Sequence, residues 1–175
     1  MASLEEKYKK ENLQNHIYNT PDTYVGGCDL ICEKLCIYDS SQDKIIEKEI
    51  EYIPALFNIY NEILVNAKDQ VTRLNGLYSK DKSVNIVTEI KIEFNPEKGE
   101  ISIMNNGDGI DVAEHPKEKK NGKPIYIPQL IFGELLTSTN YNKDEQKVVG
   151  GKNGYGAKLT NIFSKSFKLE TVDAK

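Results

Sequence analysis

The stretch from Pro54 to Leu74 does most to limit what this chain can become. Leu56, Tyr60, Ile63, Ala67, Val71 and Leu74 recur at gaps of four or three residues, which collects them on one face of a helix. Pro54 suits a first turn, where its missing N–H costs nothing, and Asn75-Gly76 offers a left-handed stop. The spacing therefore predicts an amphipathic helix over 54–74. The following segment changes period. Val84, Ile86, Thr88, Ile90, Ile92 and Phe94 alternate with polar or smaller residues, Asn95 to Gly99 turns the chain, and Ile101 and Ile103 resume the alternation. An antiparallel hairpin over 84–105, buried on one face, follows from that pattern.

The rest of the chain is organised around these two elements. Residues 1 to 16 are rich in Lys, Glu, Asn and Gln and form a short helix or an ordered strap. Pro21 breaks that pattern, and Leu30 to Ile53 reads as a hairpin turning at Asp39 to Lys44. The charged stretch Glu114 to Pro124 reads as a solvated loop, Pro128 to Leu136 as a helix, and Ala157 to Phe163 as a helix behind a glycine cluster. Ser166 to Val172 alternates as a strand. At 175 residues and 38% hydrophobic content, one domain is expected.

Charge and cysteine usage exclude several functions. A net charge of −4 supplies no broad positive surface for a stand-alone duplex binder, so DNA contact is expected through other domains. Cys28, Cys32 and Cys36 are spaced by four, which suits neither a closed disulfide framework nor zinc, and they read as reduced thiols or small core residues. No leader and no apolar run approaching about 18 residues is present, so a soluble intracellular protein without a membrane partner is expected. His16 and His115 have no neighbours at nucleophile or metal spacing.

Four constellations can carry chemistry. Glu62, Asn66, Asp69 and Arg73 fall on one stripe of the long helix. There a carboxylate can activate water and an amide oxygen can help hold magnesium, or the stripe is simply a solvated face with an Asp69–Arg73 pair. Asn105-Asn106-Gly107-Asp108-Gly109-Ile110 sits where a strand ends. It is either an Asx turn or a place where an amide reads a base edge while glycines admit a ligand closely. Gly150-Gly151-Lys152-Asn153-Gly154-Tyr155-Gly156-Ala157-Lys158 holds four glycines within seven residues before a helix. That is the composition of a phosphate cradle, with a hinge as the alternative, and it matches neither a Walker A loop nor a dinucleotide fingerprint. Thr137-Ser138-Thr139-Asn140 offers hydrogen-bonding side chains at a helix end, which capping alone also explains.

Taken in order, Asn61 to Ala67, Asn105 to Ile110, Leu135 to Tyr141 and Gly151 to Lys158 resemble the type II DNA topoisomerases. The likeness to their eukaryotic and large-virus branch runs from about Tyr8 to the end, through Thr20 to Gly26 and Tyr126 to Gly133. The resemblance implies an α+β fold of Bergerat (GHKL) type spanning residues 1–175: a two-layer sandwich with helices on one face of a mixed, mainly antiparallel sheet, residues 1–20 forming an N-terminal strap. It also implies an ATP-hydrolysing module that drives clamp closure for ATP-dependent double-strand DNA passage, with a non-catalytic nucleotide-binding or interaction module of the same fold as the alternative. Glu62 becomes the general base and Asn66 the magnesium ligand. Gln70 lies near the nucleotide, and Asn105 matches the adenine-recognising position. Ser138, Thr139 and Asn140 match contacts to sugar and phosphates. Gly151, Lys152, Asn153, Gly154, Tyr155, Gly156, Ala157 and Lys158 wrap the phosphates, and Tyr141 to Val149 forms part of a lid. ATP and Mg2+ are the implied ligands, a homodimer the implied assembly, and a nucleus or viral factory the implied location.

Three positions depart from the family pattern: Gln70 where Asn is frequent, Lys68 where a small residue is usual, and Asp111 at a common Pro position. Relatives continue into a transducer domain with a phosphate-contacting lysine and then a cleavage core. Neither is matched here, so the chain reads as a truncated piece that is weakly active or inactive in isolation.

Overall fold

A computed structural model describes residues 11–135 and 155–173, and the chain divides between Asn58 and Ile59 into two units. In the first, helix α1 (Leu13–Asn19) is capped by the Asn12 side chain, which accepts from the Asn15 N–H at 2.9 Å. Pro21 opens the short helix α2 (Pro21–Tyr24) at the position that tolerates it. Ile17 and Val25 are buried, at 0% and 4% exposure, each contributing roughly 1.5–3 kcal/mol of apolar burial. Strands β1 (Ile31–Asp39) and β2 (Lys44–Tyr52) form the expected hairpin, in register from Ile31↔Tyr52 to Asp39↔Lys44. Its turn is tied by Asp39, whose carboxylate accepts from the Ser41 hydroxyl at 2.6 Å, the Ser41 N–H at 2.9 Å and the Gln42 amide at 2.8 Å. Those bonds, the Ser41 hydroxyl first, hold its carboxyl below the usual range. Cys28, Cys32 and Cys36 are free and exposed, so they are thiols, as expected, but not core residues.

The long helix α3 runs Pro54–Tyr78, four residues beyond the predicted stop at Leu74. Asn75-Gly76 does not end it, because the carbonyls of Asn75, Gly76 and Leu77 find donors in Ser79, Lys80 and Asp81 one turn later. A mid-helix glycine costs only about 1 kcal/mol relative to alanine, and these bonds offset it.

In the second unit, β3 (Ile90–Asn95) and β4 (Glu100–Asn105) pair antiparallel, Ile90 opposite Asn105 and Asn95 opposite Glu100. The predicted strand from Val84 does not reach the ladder before Ile90, because two side chains occupy its backbone. Asn106 Oδ1 accepts from the Thr88 and Glu89 N–H groups at 2.9 and 3.0 Å, and Asp108 accepts from the Asn85 N–H and side-chain amide at 3.0 and 2.7 Å.

Glu114 to Pro124, expected as a loop, is the hairpin β5 (Glu114–Lys120) and β6 (Lys123–Tyr126). Asn121 and Gly122 both take positive φ, 52° and 79°, as a tight primed turn requires. Helix α4 (Ile127–Gly133) follows, and α5 (Gly156–Ile162) packs against it. Asn161 donates to the Phe132 carbonyl at 3.0 Å, and the Phe132 and Phe167 rings lie 6.0 Å apart.

Ser166 to Val172, expected as a strand, is extended without a ladder. It meets residues 109–112 through the Gly109 N–H on the Val172 carbonyl, the Ile110 N–H on Thr171 Oγ1, and the Val112 N–H on the Asp173 carboxylate. Two of those three bonds use side chains, so no strand pairing propagates. The architecture is α+β, as expected, with the described strands paired as three antiparallel hairpins. None of the described helices is long and apolar enough to cross a membrane.

Leu74 is 2% exposed and touches the turn after β4. Leu74→Ala is expected to cost about 2–5 kcal/mol, read as a lower urea midpoint with little change in slope.

Candidate functional site

The site is assembled from α3, the turn after β4, and the start of α5. Glu62 lies in the third turn of α3, half-buried, and burial raises its carboxyl above the ordinary 4.5. Opposite it stands Gly156, the first residue of α5. A Cβ there would collide with Oε2 and the carboxyl carbon of Glu62, so a glycine at 156 is what lets the helix start lie against the carboxylate. Thr160, one turn along α5, donates its hydroxyl to the Ile59 carbonyl at 2.7 Å. This bond fixes α5 beside the turn of α3 that precedes Glu62.

Ala157, Lys158 and Leu159 are buried, Lys158 at 4% exposure. Desolvation lowers its ammonium to about 8. A lysine held this way is sensitive to any anion brought near it, because a negative charge restores the ammonium.

Asn66, one turn beyond Glu62, is exposed and presents a hard oxygen suited to magnesium. Among the described residues, no cluster of three or more His, Cys, Asp or Glu could by itself hold a metal. Gln70 is differently engaged. Its Nε2 donates to the Asp108 carbonyl at 2.6 Å, and its Oε1 accepts from Arg73 Nε at 3.0 Å. It therefore pins the turn after β4 to α3.

That turn shows the Asx closure of its first reading. Asn105 Oδ1 accepts from the Gly107 N–H at 3.3 Å, an Asx-type closure. Gly107 lies so close to Leu74 and Val87 that a Cβ would stand 2.6 and 2.7 Å from their methyl groups. Ser138, Thr139, Asn140, Gly151, Lys152, Asn153 and Gly154, with the segment Tyr141 to Val149 expected as part of a lid, lie outside the described residues. Tyr155 precedes α5 and its carbonyl accepts from the Leu159 N–H at 2.8 Å.

Asn106, Asp108 and Thr160 escaped the sequence reading as site-building residues. The first two sat inside a motif read for turn chemistry, and that chemistry is what they perform, on a distant segment. Nothing in the local pattern marks Thr160, whose partner is 101 residues away.

Comparison with known proteins gives one consistent picture. No protein-family model matches. The chain is 50% identical over 98% of its length to DNA topoisomerase 2 of Acanthamoeba polyphaga mimivirus, and 47% identical over 97% to DNA topoisomerase 2 of Drosophila melanogaster. It spans only 13% and 11% of those two proteins. Among solved structures it resembles the ATPase region of Saccharomyces cerevisiae topoisomerase II, with TM-score 0.74 and 44% identity, covering 90% of this chain and 38% of that one. It also resembles the ATPase and transducer domains of DNA topoisomerase II from Balamuthia mandrillaris, with TM-score 0.79 and 39% identity, covering 94% and 38%.

The burial of Glu62 has a signed consequence for stability. Its folded pKa is raised, so the protonated form favours folding, and that stability is lost as pH rises through the folded value. Glu62→Gln is therefore expected to be more stable than the parent near pH 7, the difference closing below about pH 4. Urea unfolding at the two pH values measures it, and an equal difference at both would refute the assignment.

Proposed function

Because the chain belongs to the type II DNA topoisomerases, in the stretch that aligns with their ATPase region, we propose that it binds Mg-ATP and hydrolyses it to drive clamp closure during double-strand DNA passage. The observation that carries this reading is the Glu62–Gly156 approach. A half-buried carboxylate lies against Gly156, the first residue of the helix that follows the glycine cluster in sequence, which supports a reading in which a proton acceptor stands beside the phosphates.

In this reading Glu62 accepts the proton of the attacking water, and its raised pKa makes it a better base than an exposed carboxylate. Asn66, one turn away, offers magnesium an amide oxygen. The residues fit such an ion, since magnesium needs few protein ligands when phosphate oxygens and water complete its shell. Bound there, it would neutralise phosphate charge and orient the terminal phosphate. Asn105 hydrogen-bonds the adenine edge, and Gln70 holds the turn that carries Asn105. Ser138, Thr139 and Asn140 serve the sugar and phosphates, Gly151 to Lys158 surround the phosphates, and Lys158 supplies positive charge from a dry setting where it acts most strongly. Residues 1–175 make up the nucleotide-binding module, which works as a homodimer and has its main DNA contacts in other parts of the enzyme.

Two measurements test this. Glu62→Ala is expected to keep binding of a fluorescent ATP analogue to the chain while lowering turnover of the longer enzyme about 10²–10⁴-fold. Unchanged turnover removes the base assignment and leaves the nucleotide-binding module without catalysis. The second concerns pH. Nucleotide affinity is expected to fall as pH rises through about 8, where Lys158 loses its proton. Lys158→Met should bind weakly throughout and lack that fall.

A further inference from the structure

The β5–β6 hairpin takes no part in the nucleotide site, yet it concentrates charge in a chain that is acidic overall. Lys117, Lys119, Lys120 and Lys123 fall within seven residues and only Glu118 offsets them. All five are exposed. The positive φ values of Asn121 and Gly122 close the ribbon tightly, so the lysines are presented on a structured tip.

Lys120 and Lys123 are direct cross-strand partners, an arrangement that costs stability for like charges. Lys120 is relieved by Glu134, its Nζ 2.5 Å from Oε1. Beside this pair lies a hollow of about 360 Å³, walled by Lys120, Asn121, Lys123, Pro124, Ile125 and Gln129. Its polar lining residues are two lysines, of which Lys120 is paired with Glu134, and the amides of Asn121 and Gln129, which can donate. Lysines on an exposed hairpin also serve to block edge pairing. That role accounts for charge along the ribbon, but not for two lysines set opposite each other beside a hollow.

We propose that this tip is a contact surface for the phosphate backbone of duplex DNA, one phosphate seating in the hollow between Lys120 and Lys123 and neighbouring phosphates meeting Lys119 and Lys117. Lysine ammoniums act as point charges that follow a polyanion, without the forked geometry that favours carboxylates. No aromatic ring occurs between Lys117 and Pro124, so the tip lacks the stacking platform on which single strands depend. The surface is local, which reconciles it with the net charge of −4.

The test uses the 175-residue chain, a fluorescein-labelled DNA duplex and anisotropy across a salt series. Binding is expected at about 50 mM salt and should weaken steeply toward about 200 mM. The double variant Lys119→Gln/Lys123→Gln should bind at least about tenfold more weakly, with its log K versus log salt slope shallower by about 2. Its melting temperature should be unchanged, and Lys123→Glu alone should weaken binding in the same direction. The proposal is overturned if the parent does not bind, or if the double variant keeps the parent's affinity and slope. It is equally overturned if inorganic phosphate displaces the duplex better than chloride at equal ionic strength, which would mark a free-phosphate site, or if an acidic peptide binds more tightly than DNA.

Discussion

The turn after β4 can lie against α3 only because residue 107 has no side chain. Leu74 and Val87 fill the space a Cβ would need, and Leu74 is left only 2% exposed. Once the backbone of the turn is that close, Gln70 can reach the Asp108 carbonyl, and the Asn106 and Asp108 side chains can reach across to residues 85–89. A bulkier residue at 107 would lift the turn and lengthen all of these bonds together. The chain thus exchanges one glycine's conformational entropy for a set of hydrogen bonds that tie the turn to residues 85–89 and to Gln70. Among the described residues no buried side-chain polar atom lacks a partner.

A second close approach, Gly156 to Glu62, follows the same logic with a different outcome. At 107 the approach buries a leucine, whereas at 156 it desolvates a carboxylate. Removing water from Glu62 raises its proton affinity, which suits the base role proposed for it. Thr160 holds this arrangement from the side. The cost of a partly dehydrated acid is tolerated because α5 is also fixed by apolar burial at Ala157 and Leu159.

Much of the fold was legible because period and turn chemistry agreed. The helix from Pro54, the hairpin over 31–52 and the ladder over 90–105 each had apolar spacing bounded by recognisable breakers. The errors arose where side chains replaced backbone partners. Residues 84–89 and 166–172 alternate like strands, yet N–H groups of the first are met by the Asn106 and Asp108 side chains, and the second segment meets 110 and 112 through the Thr171 and Asp173 side chains, and no periodicity records that. The hairpin over 114–126 was obscured by charge, although Asn121-Gly122 carried the turn signal throughout. For the site, the stripe of α3 and the glycine before α5 were visible. The pairing of Glu62 with Gly156 was not, since it joins residues 94 positions apart in the sequence.

The Asn105-Asn106-Gly107-Asp108-Gly109 run shows how a short motif can divide several structural roles among its residues. Successive residues alternate in direction, so neighbours need not share a role. Asn106 and Asp108 turn toward residues 85–89 and are consumed there by hydrogen bonds. Gly107 and Gly109 give the backbone its close contacts, with Leu74 and Val87 for one and with Thr171 and Val172 for the other. Asn105 is half-buried at the strand end and uses its carbonyl oxygen on the Gly107 N–H. Its position is therefore fixed by neighbours that have no ligand role of their own. An amide held in this way is suited to the adenine contact proposed for it, because a side chain oriented beforehand loses less entropy on binding.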